Sequence, residues 1–297
     1  MADIDRRIAA FDKLASRFPC ARVRPLILVY NPSDKLGTTL TNSVIEYLRA
    51  AARPENPRID DEMAAYDRGE IYAVTPAGMV VPKSTSWLEY NKVVRAFADI
   101  IEAMNISDLI ETWHVPLNVR FKRSHPDENN VKRPHATEKP HSDSWAGEST
   151  ESVTVHIPIL GDTQGNFLKL FYPRDFKEEW LGSHGDYEQG HVVLPNYDMV
   201  DYIIPRGRIC LIDFATLHAS TTLPNCGPRV SIDTTFVLKK RGMAERIHKN
   251  REHERMNPDL LRKIGETHLF YFRDGPNDKV EVSGFKHPTR LLIKTLV

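Results

Sequence analysis

The spacing of apolar residues changes once along this chain, near residue 111, and that change limits the fold more than any other feature. Before it, Trp87, Tyr90, Val94, Phe97, Ile101 and Met104 recur three or four residues apart, the spacing of one face of an α-helix. The stripe predicts a core helix over Ser84–Met104, capped by Ser84 or Thr85. After it, short alternating segments take over. Leu117, Val119 and Phe121 alternate with Asn118, Arg120 and Lys122, the pattern of a half-buried strand. Further strands are predicted at Val153–Leu160, Phe167–Tyr172, Val200–Ile204, Ile209–Phe214 and Val230–Leu238. Several short strands separated by turn signals suggest a barrel or sandwich.

The remaining segments fit around that series. Helices are expected over Asp3–Phe18 and Leu40–Ala51, with a short strand at Arg24–Tyr30 between them. Pro54–Asp61 and His125–Lys139 read as loops, and Glu70–Val81 as a strand pair turning at Pro76-Ala77-Gly78. Pro173–Met199 is a long aromatic and charged insert, a length that in compact domains tends to serve as a lid. A charged helical region follows at Lys239–Ile264, then two more strands within His268–Val297. The expected organisation is a mixed region at 1–110, a core at 111–238 carrying the insert 173–199, and a completing segment at 239–297.

Composition narrows the partners. Forty basic residues balance forty acidic ones in 297 positions, so nothing global favours nucleic acid or an anionic membrane. Hydrophobic residues make up 41 %, enough for a sizeable core, yet no apolar run approaches a membrane span. The N-terminus lacks the apolar stretch of a signal peptide. Cys20, Cys210 and Cys226 form no paired framework. A cytoplasmic protein with reduced thiols is the simplest expectation.

His141-Ser142-Asp143, with His218 later, carries the chemistry. Two imidazoles and one carboxylate suit a redox-active Fe(II) and leave open coordination positions. On an extended segment His141 and Asp143 would project to the same side. Arg229 follows among Val230, Ile232 and Phe236. An arginine entering a buried strand needs an anion. Either it pairs with Asp213 or Asp233, or it holds a carboxylate ligand in its planar fork. Ser231 lies on the same side and can share that anion.

These residues resemble the Fe(II)/2-oxoglutarate-dependent oxygenase family, most nearly its phytanoyl-CoA-hydroxylase-like branch. The resemblance spans roughly residues 111–238. It rests on Pro140-His141-Ser142-Asp143-Ser144-Trp145, Asp162-Thr163-Gln164-Gly165-Asn166-Phe167-Leu168, Gly207-Arg208-Ile209-Cys210-Leu211-Ile212-Asp213-Phe214, Leu217-His218-Ala219-Ser220 and Pro228-Arg229-Val230-Ser231. It implies a mainly β fold, a double-stranded β-helix (jelly roll, cupin-like) with flanking helices. It implies Fe(II) on His141, Asp143 and His218, with O2 and 2-oxoglutarate as co-substrates. Arg229, assisted by Ser231, would pair with the distal carboxylate of 2-oxoglutarate. Asn118, Arg120 and Thr137 are further candidates for the keto acid. Where the branch often has Pro-Gly-Ser-His, this chain has Tyr172-Pro173-Arg174-Asp175. The carboxylate of Asp143 argues against halogenation, since halogenating members lack it.

Candidates for substrate contact are Arg133, His135, Trp145, His156 and Tyr187, with His184 and His191 also in or near the insert. The expected reaction is hydroxylation of a polar small molecule of sugar or amino-acid type, a sugar acid of a bacterial surface glycolipid being one instance. A keto-acid-free cupin-type metalloenzyme would keep the triad but have no use for Arg229 and Ser231. A non-catalytic barrel would have no use for an intact triad.

Overall fold

The computed structural model describes residues 3–52, 58–70, 74–75, 77–82, 86–115, 117–125, 128–239, 254–256, 258–263, 268–272 and 291–295. Its elements run α1 (Asp3–Ala15), β1 (Cys20–Arg24), β2 (Ile27–Tyr30), α2 (Asp34–Ala51), α3 (Ile59–Asp67) and α4 (Trp87–Ala103). Then come β3 (Ile110–Val115), β4 (Asn118–Lys122), α5 (Glu128–Val131), β5 (Ser152–Gly161), β6 (Asn166–Pro173), α6 (Tyr187–Gly190) and β7 (Tyr197–Val200). The chain continues through β8 (Ile209–Asp213), β9 (Leu217–Thr222), β10 (Arg229–Leu238), β11 (Glu254–Met256), α7 (Pro258–Lys263), β12 (His268–Phe272) and β13 (Leu291–Thr295).

Two antiparallel sheets face each other. The larger runs β1-β2-β8-β5-β10-β3-β11, with β4 also paired to β10, and the smaller runs β7-β6-β9. A single bridge between His141 and His218 extends the smaller sheet beyond β9. From β4 to β10 the chain passes back and forth between the sheets, with β6 and β7 consecutive in the smaller one, in the order of an eight-stranded jelly roll. This is a double-stranded β-helix with helices on its outside.

The helices cover the larger sheet because its outer face is apolar. Val153, Val155, Ile157 and Ile159 of β5 share one buried cluster with Tyr90, Val94, Phe97 and Ile101 of α4. Burying each such side chain contributes about 1.5–3 kcal/mol. Two tyrosines fasten the layers: the Tyr47 hydroxyl donates to the Val80 carbonyl and the Tyr90 hydroxyl to Leu117, both at 2.8 Å. The inner face of the same sheet is apolar on β2 and β8, where Ile27, Val29, Cys210 and Ile212 pack against Leu168 and Leu170 of the smaller sheet, and polar on β5 and β10. Ser152, Thr154 and His156 of β5 point inward, as do Ser231, Asp233 and Thr235 of β10, with His156 opposite Asp233 and Thr154 opposite Thr235. Gly161 permits close approach at the rim: with φ +78°, any Cβ there would lie 2.1 Å from the Pro228 carbonyl oxygen.

Several expected elements take a different form. Arg24–Tyr30 is the second half of a hairpin, broken where Pro25 has no N–H to donate. The helix expected from Leu40 begins at Asp34, whose carboxylate favours a helix N-terminus. The region read as loop before Asp61 gives way to α3, whose Met63 and Tyr66 are buried. The strand expected at Val200–Ile204 is instead Tyr197–Val200, and Pro205 stops any extension past Ile204. The described residues of Glu70–Val81 contribute two isolated bridges, Val74 to Val80 and Met79 to Arg120. Pro76 and the caps Ser84 and Thr85 lie outside the described residues, as does most of the charged region from Lys239. The insert is not structureless: it holds 3-10 turns at Glu178–Leu181 and His191–Asn196 around α6. Among the described residues no helix is long and apolar enough to cross a membrane.

Candidate metal centre and anion site

Pairing between His141 and His218 brings the two imidazoles together. Each backbone N–H donates to the other's carbonyl at 2.9 Å, and the ring centroids stand 4.3 Å apart. Asp143 arrives differently from the expectation. The chain leaves the bridge after His141 and turns into a 3-10 helix over Asp143–Ala146, so no strand sets the direction of the carboxylate. Its Oδ1 nevertheless lies 3.7 Å from Nε2 of both His141 and His218. Two donors each about 2.1 Å from one ion are separated by ~3 Å at a right angle and ~4.2 Å when opposite. The three donors could thus hold one metal ion.

Neighbouring groups orient these donors. The His141 Nδ1–H donates to the Lys139 carbonyl at 2.7 Å, which turns Nε2 toward the centre. Burial, reinforced by His218, holds His141 well below the usual imidazole range, so the ring is neutral, as a ligand must be. Thr154 of β5 donates its hydroxyl to Asp143 Oδ2 at 3.0 Å, leaving Oδ1 for the ion. Tyr187 of α6 stacks on His141 from the far side, centroids 4.1 Å apart and planes 11° apart.

A small chamber of about 50 Å³ lies behind the triad, lined by His156, Leu168, Ser220, Arg229 and Ser231 among others. Arg229 is 1 % exposed, and its Nε and Nη1 have no hydrogen-bond partner. Burial pulls its guanidinium down to about 10. The structural ion pairs open to it on sequence are spent elsewhere. Asp213 accepts from Arg7 at 2.9 Å. Asp233 accepts from Arg120 at 2.7 and 2.8 Å and from Asn118 at 3.0 Å. Beside Arg229, the buried Ser231 hydroxyl also lacks a partner. A cationic fork and a hydroxyl therefore face one chamber without a hydrogen-bonded anion among the described residues: the carboxylates that also line it, Asp143 and Asp233, are held by Thr154 and Arg120.

In front of the triad opens a larger chamber of about 470 Å³. Asn118, Arg120, Thr137, His135 and Tyr187 line it together with His141 and Asp143. Asn118 and Arg120 are bound to Asp233, and Thr137 accepts from Lys122 at 2.5 Å. His156 faces the inner chamber instead. Arg133 lines neither chamber; its Nε donates to the Asn130 carbonyl. Trp145 is fully buried against Tyr187, Val193 and Leu217, and its Nε1 donates to the Trp180 carbonyl. His184 offers its carbonyl to His135, and His191 donates to the Pro140 carbonyl.

Thr154, Lys122, Asp233 and Thr235 are additional polar residues around the chambers. Strand alternation carried the signal for three of them: Thr154 sits between apolar neighbours in β5, and Asp233 and Thr235 continue the inward series from Arg229 and Ser231.

No protein-family model matches the chain, and no curated protein matches it in sequence. Solved structures similar in backbone include the non-heme alpha ketoglutarate dependent epimerase SnoN from nogalamycin biosynthesis, at 16 % identity and TM-score 0.39 over 80 % of this chain and 88 % of that one. AviO1 from Streptomyces viridochromogenes Tue57 matches at 13 % identity and TM-score 0.42, over 78 % and 94 %. An N-substituted L-amino acid dioxygenase from Burkholderia ambifaria AMMD matches at 12 % and 0.38, over 77 % and 87 %. Likenesses of this degree assign no activity.

Proposed function

We propose that the protein is an Fe(II)- and 2-oxoglutarate-dependent dioxygenase that hydroxylates an aliphatic carbon of a polar small molecule. The overall reaction combines R–H, O2 and 2-oxoglutarate to give R–OH, succinate and CO2. The observation that carries this reading is Arg229. A buried guanidinium with two unpartnered positions and an adjacent unpartnered serine hydroxyl is costly to the fold, and both are satisfied by a carboxylate.

His141, Asp143 and His218 would hold the iron, which supplies O2 activation when bound. Arg229 and Ser231 bind the distal carboxylate of the keto acid in the inner chamber. Thr154 and the Lys139 carbonyl hold Asp143 and His141 in their orientations. The larger chamber receives the substrate, and Tyr187 closes one side of it against water.

Anaerobic addition of Fe(II) and 2-oxoglutarate tests this directly. A weak visible charge-transfer band is expected with the native protein and not with Arg229→Ala. A metalloenzyme without a keto acid would give no such band.

A further inference from the structure

Thr235 is left over after the metal and the anion are accounted for. It is 6 % exposed, and its hydroxyl is buried without a partner. It also lines the larger chamber. In the antiparallel pairing of β10 and β5 it stands directly opposite Thr154, where side chains are about 4.5–5.5 Å apart at Cβ. Thr154 in turn holds Asp143. The unsatisfied hydroxyl thus lies one cross-strand step from a residue bonded to the metal carboxylate.

The charges of the chamber limit what can meet that hydroxyl. Among the described lining residues the only arginine or lysine is Arg120. All its nitrogens are engaged: Nε and Nη2 on Asp233, Nη1 on the Ala77 carbonyl at 2.7 Å. The lining carboxylates are Asp143, Glu148 and Asp233. With Asp143 given to the iron and Asp233 paired with Arg120, an anionic substrate would enter beside Glu148 and find no unengaged arginine or lysine among the described lining residues. Met79, Ala77 and Ala146 supply apolar contact for a carbon skeleton.

We propose that Thr235 is a substrate-recognition residue and that the larger chamber takes an uncharged, hydroxyl-bearing small molecule, one of whose hydroxyls exchanges a hydrogen bond with Thr235. This rests on the oxygenase reading above and narrows it. A carboxylated sugar fits the chamber's charge less well than its neutral counterpart. A polar group bonded to Thr235 would lie in the chamber that His141 and Asp143 also line, one cross-strand step from the residue that holds Asp143.

Matched ligands test the proposal. Methyl glycosides and inositols would be compared with the uronic acids of the same rings. Readouts are ligand-induced thermal shift and ligand-stimulated succinate release, on the Fe(II)- and 2-oxoglutarate-loaded protein. A neutral member is expected to act at concentrations at least about tenfold below its acid. Thr235→Val, which swaps the hydroxyl for a methyl, should raise the KM for that member about tenfold, and Thr235→Ser should restore it. The anaerobic charge-transfer band should be the same in both variants. Preference for the uronic acids, response to none of the neutral compounds, or an unaltered KM in Thr235→Val would overturn the proposal while leaving the band intact. Loss of the band in the native protein would instead overturn the oxygenase reading and take this inference with it.

Discussion

Tyr187 lies flat against His141, with 4.1 Å between ring centroids. One residue belongs to the insert and the other to the candidate metal centre, so the two are mechanically joined. Other contacts reinforce the junction. The Tyr187 N–H donates to the Pro134 carbonyl, Lys139 pairs with Asp186 and Glu188, and Gly190 passes so close to Trp145 that a Cβ would lie 2.6 Å from the indole. Through Tyr187 the insert forms part of the chamber wall. Removing the stack should therefore reach the metal. Tyr187→Ala is expected to weaken Fe(II) binding several-fold, in keeping with the ~0.5–1.5 kcal/mol of an aromatic pair, while Tyr187→Phe keeps the affinity. Anaerobic Fe(II) titration measures it; equal affinity in the alanine variant would show that the insert serves the substrate alone.

Arg229 sets function against stability. Its guanidinium is buried with Nε and Nη1 lacking a hydrogen-bond partner, and a charge in that position destabilises the ligand-free protein. Replacing buried charge with a well-packed apolar residue often stabilises by about 1–4 kcal/mol. Arg229→Leu should accordingly raise the melting temperature of the free protein and abolish the further rise that 2-oxoglutarate gives the native one. A lower melting temperature in Arg229→Leu would mean that the arginine has a structural partner.

The pH dependence has a definite sign. Burial lowers Arg229 to about 10 from 12.5. Between those values the unfolded chain holds a proton that the folded protein has lost, so this residue's contribution to stability rises with pH there. Keto-acid affinity depends on the charged form and should fall as pH passes through about 10. Equilibrium titration of 2-oxoglutarate from pH 7 to 11 should find the loss near pH 10 in the native protein and at lower pH in Arg229→Lys, because burial lowers a lysine too and lysine starts lower; a weaker baseline affinity also follows from losing the planar fork.

Much of this site was legible because its chemistry needs specific residue types at strand ends. His141, Asp143, His218 and Arg229 are all accounted for by side-chain chemistry and by apolar strands on either side. What stayed hidden depends on contacts between distant segments. Nothing local marks Asp233 as the partner of Arg120, since 113 residues separate them. The same holds for Tyr187 on His141, where a turn-rich insert folds back across the sheet. Thr154 and Thr235 were readable in principle as polar residues inside apolar strands, but alternation alone cannot say whether the polar side faces solvent or a chamber. Helix α3 escaped notice because its few apolar residues sit among Asp60, Asp61 and Glu62.

Arg7 of α1 ties three parts of the molecule together from outside the site. It is fully buried, donates to Asp213 at 2.9 Å, to Glu178 at 2.7 and 2.8 Å and to the Thr150 carbonyl at 2.9 Å. Asp213 closes β8 and accepts from the Ala215 N–H at 2.8 Å, fixing the turn that leads into His218. Glu178 opens the insert. Burial works against the charge of Arg7, but Asp213 and Glu178 outweigh it and raise its affinity for the proton. Removing Arg7 leaves the fully buried Asp213 carboxylate without its cation, while Glu178 keeps Arg6, and breaking such a buried pair costs about 3–5 kcal/mol. Arg7→Met should lower the melting temperature by many degrees and expose the insert to protease. Arg7→Met combined with Asp213→Asn should recover part of the loss, because the orphaned charge is gone. A single variant as stable as the native protein would show that the network contributes nothing to stability, and a double variant no better than the single would show that the loss does not come from the orphaned charge.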